Sequence, residues 1–213
     1  MTAPFTSMQA PQISERFCSS NADITIVSSD GVYFKVYRKN LEVHSDIFSD
    51  ADAATLPDDG ALVPLSEPAA VLELLFQYMR RQLPPDLQDV DFATCAALAE
   101  AAEKYWVYSA LSACREKMKC ALSHIALGGR CGQTDFFHRE AVKEHPLEIL
   151  EYAVRHGHED LAAEAARNSV GLDALAAMEC LSPDTFKAWV STLRVPFLRR
   201  DTRLTHRPVD RLP

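Results

Sequence analysis

Glycine is scarce in this chain. Seven in 213 residues is well under the ~7% of ordinary usage. They are scattered at 31, 60, 128, 129, 132, 157 and 171, so a glycine-rich phosphate loop is not expected. Long apolar runs are missing too: stretches such as Ala174 to Met178 fall far short of the ~20 residues of a membrane span. Met1 to Phe17 lacks a charged start followed by an apolar core, so no leader is expected. There is no basic excess, with 22 Lys and Arg against 30 Asp and Glu for a net charge of −8. Nucleic acid is therefore not the expected partner, because affinity for it begins with phosphate neutralisation. The six cysteines (18, 95, 114, 120, 131, 180) form no Cys-x-x-Cys pair and have no His-x-x-x-His partner, which argues against structural zinc. Most lie in Ala- and Leu-rich helical patterns, where a reduced thiol packs as a small hydrophobe.

A chain of 213 residues is one to two domains at ~150 each. Residues 1–16, with two prolines and little periodicity, are expected to be a flexible lead-in. Ile24 and Ile26, then Val32, Phe34 and Val36, alternate with polar neighbours around Ser28-Ser29-Asp30-Gly31; this spells a β-hairpin. Arg38 to Asp50 shifts to spacings of three and four and predicts two short helices broken at Ser45, a good N-cap. An acidic loop over 50–60 leads to a short strand over Ala61 to Leu65, whose Pro64 calls for an edge position. Ser66-Glu67-Pro68 opens a helix, with the Ser66 hydroxyl as its N-cap and a stripe of Val71, Leu72, Leu75, Phe76 and Met79. Helices over 92–105 and 108–125 follow. The glycines at 128–132 read as a hinge into a linker, and a second helical region comprises 147–156, 159–169, 172–180 and 183–193, the last with Ser182 as its N-cap and Pro183 at its first position. From Arg194 onward six arginines face two aspartates, and the expected state is a basic flexible tail.

The order hairpin, helix pair, short strand, helices is α+β, with helices covering a small sheet. Its residues resemble the BTB/POZ domain. The matching run is Ala22-Asp23-Ile24-Thr25-Ile26, Ser28-Ser29-Asp30-Gly31 and Phe34 to Phe48, then Leu62 to Glu67, Leu72 to Met79, and Ala99-Glu100-Ala101-Ala102-Glu103-Lys104-Tyr105. Stand-alone fungal BTB proteins are the nearest in kind, and Pro146 to Ala153 with Ala162 to Ala166 resembles their helical extension. The resemblance implies a hairpin plus third strand under a cluster of helices over 17–125, a linker over 126–145, an all-α extension over 146–193 and a tail over 194–213.

That resemblance implies a non-catalytic protein-interaction module, an adaptor or scaffold in the cytoplasm, the nucleus or both, with no cofactor and no metal. Its partners would be other proteins: a second copy of the chain, transcriptional regulators, or a cullin-type ubiquitin-ligase scaffold. In related transcriptional BTB proteins an Asp–Arg pair lines a pocket and maps onto Asp23 and Arg38, with Tyr37 standing where the family has His. The plainer reading, with Asp23 ending a strand and Arg38 in solvent, stays open. The hydrophobic-x-Glu motif that recruits cullins has Leu56-Pro57-Asp58 as its nearest match, with Asp for Glu. Binding energy is expected from apolar anchors rimmed by charge around the first two helices and the acidic loop, namely Leu41, Phe48 and Leu56 beside Asp23, Arg38 and Asp58.

Two other readings remain. One keeps the fold in a monomeric elongin- or Skp-type ubiquitin-ligase adaptor. The other is a small cytosolic enzyme using a thiol or a histidine, suggested by six cysteines and seven histidines. Against it, the chain has no Gly-x-Ser-x-Gly elbow, and His156-Gly157-His158 offers two ligands where structural zinc takes four.

Overall fold

The computed structural model describes residues 12–50, 62–126 and 145–200. The chain forms two compact units, Met1–Lys117 and Met118–Pro213.

The first unit is built on four strands: β1 (Gln12–Cys18), β2 (Ile24–Val27), β3 (Val32–Val36) and β4 (Leu62–Pro64), in the spatial order β1-β3-β2-β4. The β2–β3 hairpin is antiparallel, with Ile26 opposite Phe34, and Gly31 takes the φ of +83° that its turn requires. β4 runs parallel to β2 at one edge, where Pro64 is tolerated. β1 runs parallel to β3 at the other edge. Two expectations are corrected here. Residues 12–16 belong to a strand rather than a flexible lead-in, and the sheet has a fourth strand beyond the hairpin and β4. Alternation hides β1, because its buried positions are Ser14 and Phe17, three apart. A register shift between Ile13 and Cys18 breaks the two-residue period.

α1 (Arg38–His44) and α2 (Asp46–Asp50) follow β3 and meet at Ser45. α3 (Ala69–Tyr78), α4 (Phe92–Tyr105) and α5 (Tyr108–Ala126) come after β4. Phe17 of β1, Phe34 of β3 and Phe76 of α3 pack mutually, ring centroids 5.6–5.8 Å apart, joining sheet to helix. Fully buring rings of this size is worth roughly 1.5–3 kcal/mol each. Arg16 holds β1 against α3 from outside, with Nε 3.2 Å from Glu73 Oε1 and Nη1 donating to Gln77 Oε1.

The hairpin also supplies helix caps. The N-cap of α3 is Pro68, which has no side-chain acceptor. The Asp30 carboxylate in the hairpin turn takes the Ala69 N–H at 2.9 Å instead. Ser66, expected in that role, bonds to Glu67 and Lys104.

In the second unit, α6 (Pro146–Arg155), α7 (Glu159–Asn168), α8 (Ala174–Cys180) and α9 (Pro183–Arg200) complete the described chain. The core gathers Met118 and Leu122 from the end of α5 with Ile149, Leu150, Leu161, Ala165 and Trp189. Trp189 Nε1–H donates to the buried Ser169 hydroxyl at 2.8 Å, which donates onward to the Ala166 carbonyl. Ser182 caps α9 as expected, accepting the Thr185 N–H. Residues 194–200, assigned to the flexible tail, continue α9 through Pro196. A proline removes one backbone donor inside a helix without obliging it to end. No helix among the described residues is long and apolar enough to cross a membrane.

Candidate functional site

Two elbows of the first unit meet at Ser45 and Tyr105. Ser45 has extended backbone between α1 and α2, and its buried hydroxyl donates to the Tyr105 carbonyl while accepting the Phe48 N–H at 3.3 Å. The Phe48 ring stacks on Tyr105, centroids 5.2 Å apart and planes 10° from parallel. Behind them Tyr105 Oη–H donates to Glu67 Oε2 at 2.7 Å, and Lys104 Nζ reaches Glu67 Oε1 at 2.7 Å and Ser66 Oγ at 2.8 Å. Burial pushes the Glu67 carboxyl upward, but the bonds from Lys104, Tyr105 and Ser66 outweigh it and hold it below the usual range. Burial, with Glu67 alongside, raises the Tyr105 phenol to about 12. This network fixes the end of α4 against the segment that follows β4.

The rigid frame carries an unusual surface. Trp106, the residue linking α4 to α5, sits in the left-handed region at φ 52° and ψ 51°. Among the described residues it is the sole non-glycine with positive φ. For a bulky side chain this costs about 1–2 kcal/mol; glycine or asparagine is the usual occupant. Trp106 is also 50% exposed. Val107 beyond it is buried, and its N–H closes the turn on the Ala102 carbonyl at 2.9 Å. Tyr108 is 61% exposed and donates to Asp46 Oδ2 at 3.2 Å, beside Ile47 at 40%. Strain and exposed aromatic area therefore coincide at one elbow, where folding alone favours neither. Tryptophan and tyrosine are the side chains that most often anchor protein interfaces, and strained backbone concentrates at functional positions.

The residues singled out from sequence do not include Trp106 or Tyr108; of them, Phe48 belongs to the frame just described. Asp23 Oδ1 accepts the backbone N–H of Arg38 at 2.7 Å, which makes it a cap for α1; Tyr37, the N-cap residue, supplies no side-chain acceptor. Leu41 and Phe48, expected as apolar anchors, are buried at 2% and 7% exposure. In a seven-residue helix and its short successor, the apolar spacing that suggests a docking face is spent on the protein's own core. Leu56 and Asp58 lie outside the described residues. Trp106 and Tyr108 were missed, although a signal exists: Lys104-Tyr105-Trp106-Val107-Tyr108 joins two helices without glycine, proline or asparagine.

Other chemistry-bearing groups are accounted for. His156 and His158 pack around Tyr152, with ring centroids 4.9 and 5.6 Å from it. No group of three His, Cys, Asp or Glu side chains suited to a metal occurs among the described residues. Cys95 and Cys114 are both fully buried, and the hydrogen bond to Cys95 together with burial pushes the Cys114 thiol far up. A thiol in that state is a poor nucleophile.

No protein-family model matches the chain, and no curated protein matches it.

Proposed function

We propose that the chain is a non-catalytic protein-interaction module of the BTB/POZ type, an adaptor or scaffold whose first unit docks a partner protein on the Ile47–Trp106–Tyr108 surface. The observation that carries this reading is the half-exposed, left-handed Trp106. A sequence optimised only for folding would place glycine there, so the indole is retained for what it touches. The element order supports the BTB part of the reading: a hairpin flanked by parallel strands, a broken helix pair, and an Ala-rich helix ending in Lys104-Tyr105. Asp46 takes the Tyr108 hydroxyl at the edge of the patch, so a basic group on the partner would complement it there.

The test is affinity capture with cross-linking from the source organism's extract, comparing the full chain with a Trp106→Gly/Tyr108→Ala variant whose folding is verified by circular dichroism. Partners that cross-link through α2 or the α4–α5 elbow and disappear with the variant are expected. Partners retained undiminished by the variant overturn the reading. Light scattering over a concentration series then separates the two forms of adaptor: twice 23.7 kDa marks a homodimeric scaffold, and 23.7 kDa a monomeric adaptor.

A further inference from the structure

α3 ends at Tyr78 and α4 begins at Phe92, and the chain between them carries Arg81-Gln82-Leu83-Pro84-Pro85-Asp86. Leu83 is 91% exposed, the most exposed large apolar side chain among the described residues. Arg81, Gln82 and Pro84 are exposed with it. A residue that precedes proline is kept out of the helical region. Leu83 and Pro84 both do so, which draws this stretch out towards the polyproline II form. Its two ends are pinned to the unit. Before it, the Gln82 N–H closes a tight turn on the Arg80 carbonyl at 2.9 Å. After it, Tyr78 Oη–H donates to the Pro85 carbonyl at 3.2 Å and Asp86 Oδ1 takes the Gln88 N–H at 2.9 Å. Leu87 is buried, and Lys117 Nζ donates to the Leu87 and Val90 carbonyls. Between these ties the Leu83 and Pro84 carbonyls accept no hydrogen bond from the described residues. An apolar side chain, a proline ring and two open carbonyls are thus held out to solvent on a tethered, extended backbone.

We propose that residues 81–84 dock into the groove of an SH3 domain in a partner protein, with Leu83-Pro84 between the aromatic rings that wall such a groove and Arg81 on an acid at its end. Short proline runs are frequent in sequences. One that serves as a ligand must also be exposed, extended and clear of the fold's own hydrogen bonds, and this one meets all three conditions. The ordering cost at binding is small, because the prolines and the two tethers have already restricted the free chain. Arg81 supplies direction: a guanidinium two residues before the Leu-Pro pair sets which way the ligand lies in a groove with one acidic end. Leu87 stands three residues beyond Pro84, where a second proline would engage the groove, and it is buried. The contact therefore fills one proline pocket rather than two, and the complex is weak and readily reversed. The segment shares no residue with the Trp106 surface, so it stands or falls independently of the function proposed above.

The probe is a panel of purified SH3 domains, each immobilised and titrated with the full chain, and separately with the free peptide Arg-Arg-Gln-Leu-Pro-Pro-Asp-Leu, which copies residues 80–87. Saturable binding of the chain to at least one domain is expected, tighter than the peptide's because the folded chain is ordered in advance. Leu83→Ser should weaken it about tenfold or more, the factor set by losing one buried apolar side chain. Arg81→Gln should weaken it about tenfold, as a lost charge-assisted bond does. Arg167→Gln in the second unit changes net charge equally and should leave binding intact. Leu83 and Arg81 are exposed, so both variants should keep the circular dichroism of the parent chain. Binding to no domain of the panel overturns the proposal, as does binding that Leu83→Ser leaves undiminished. A domain that takes the peptide and refuses the folded chain overturns it too. Equal weakening by Arg81→Gln and Arg167→Gln, or none by either, overturns the pairing of Arg81 with an acid of the groove.

Discussion

The Asp23 carboxylate meets Arg38 at its backbone: Oδ1 accepts the N–H at 2.7 Å, so the acid just before β2 is the N-terminal cap of α1. Asp23→Ala should therefore lower stability by about 1 kcal/mol, the usual cost of a lost cap, with Asp23→Asn costing less. Arg38→Gln should change stability by less than ~0.5 kcal/mol, as most surface substitutions do. Urea denaturation of the three variants decides between a cap and a side-chain ion pair, which would make both residues costly.

Glu67 gives the first unit an acid-sensitive joint. Its carboxyl titrates below the ordinary value of 4.5 in the folded chain, so the unfolded state binds the proton more readily. The stabilisation is fully present above 4.5 and is lost as pH falls through the depressed value. Glu67→Gln should flatten the pH dependence of the melting temperature in that window. At neutral pH it should cost about 1.5–3 kcal/mol, the range for hydrogen bonds to a charged group. Thermal melts at pH 7 and from pH 5 downward check both.

Trp106→Gly should raise stability by about 0.5–1 kcal/mol, the left-handed penalty removed less the added freedom of the unfolded chain. A stabilising substitution that abolishes partner capture would be the signature of a residue kept for binding at the expense of folding. Chemical denaturation alongside the capture experiment reads both quantities.

In the second unit, Ser169→Ala should cost about 1–3 kcal/mol, because it removes the buried hydrogen bond from the Trp189 N–H to the Ser169 hydroxyl. Trp189→Phe removes the donor too but leaves a cavity. The pair together should cost less than the sum of the singles, and a double-mutant cycle measures the difference.

Thiol labelling at neutral pH should modify the exposed Cys18 and Cys120 rapidly, while the buried Cys95 and Cys114 react only on unfolding. Fast modification of Cys95 or Cys114 in the native chain would revive a thiol-based activity.

Elements whose stability is local could be read from the sequence. Asp30-Gly31 marked the hairpin, Ser45 and Ser182 marked helix starts, and spacings of three and four marked the apolar faces of α3 to α5. Features created by distant partners could not. β1 pairs with a strand far along the chain through a bulge that erases its alternation. The caps of α1 and α3 come from Asp23 and Asp30, 15 and 39 residues away. For the candidate site, the sequence directed attention to the first two helices, and Asp46 and Ile47 do lie there. Leu41 and Phe48 are buried within the unit, and apolar spacing reports that a face is covered without saying by what.

The two tryptophans divide between the compact units, Trp106 half-exposed in the first and Trp189 2% exposed in the second. Excited selectively, they form a built-in pair of fluorescent reporters, one emitting from a wet environment and the other from a dry one. Unfolding of the second unit shifts emission to the red while the Trp106 signal holds; partner docking on the first shifts emission to the blue with Trp189 unmoved. A single spectrum can thus tell which half of the molecule has responded.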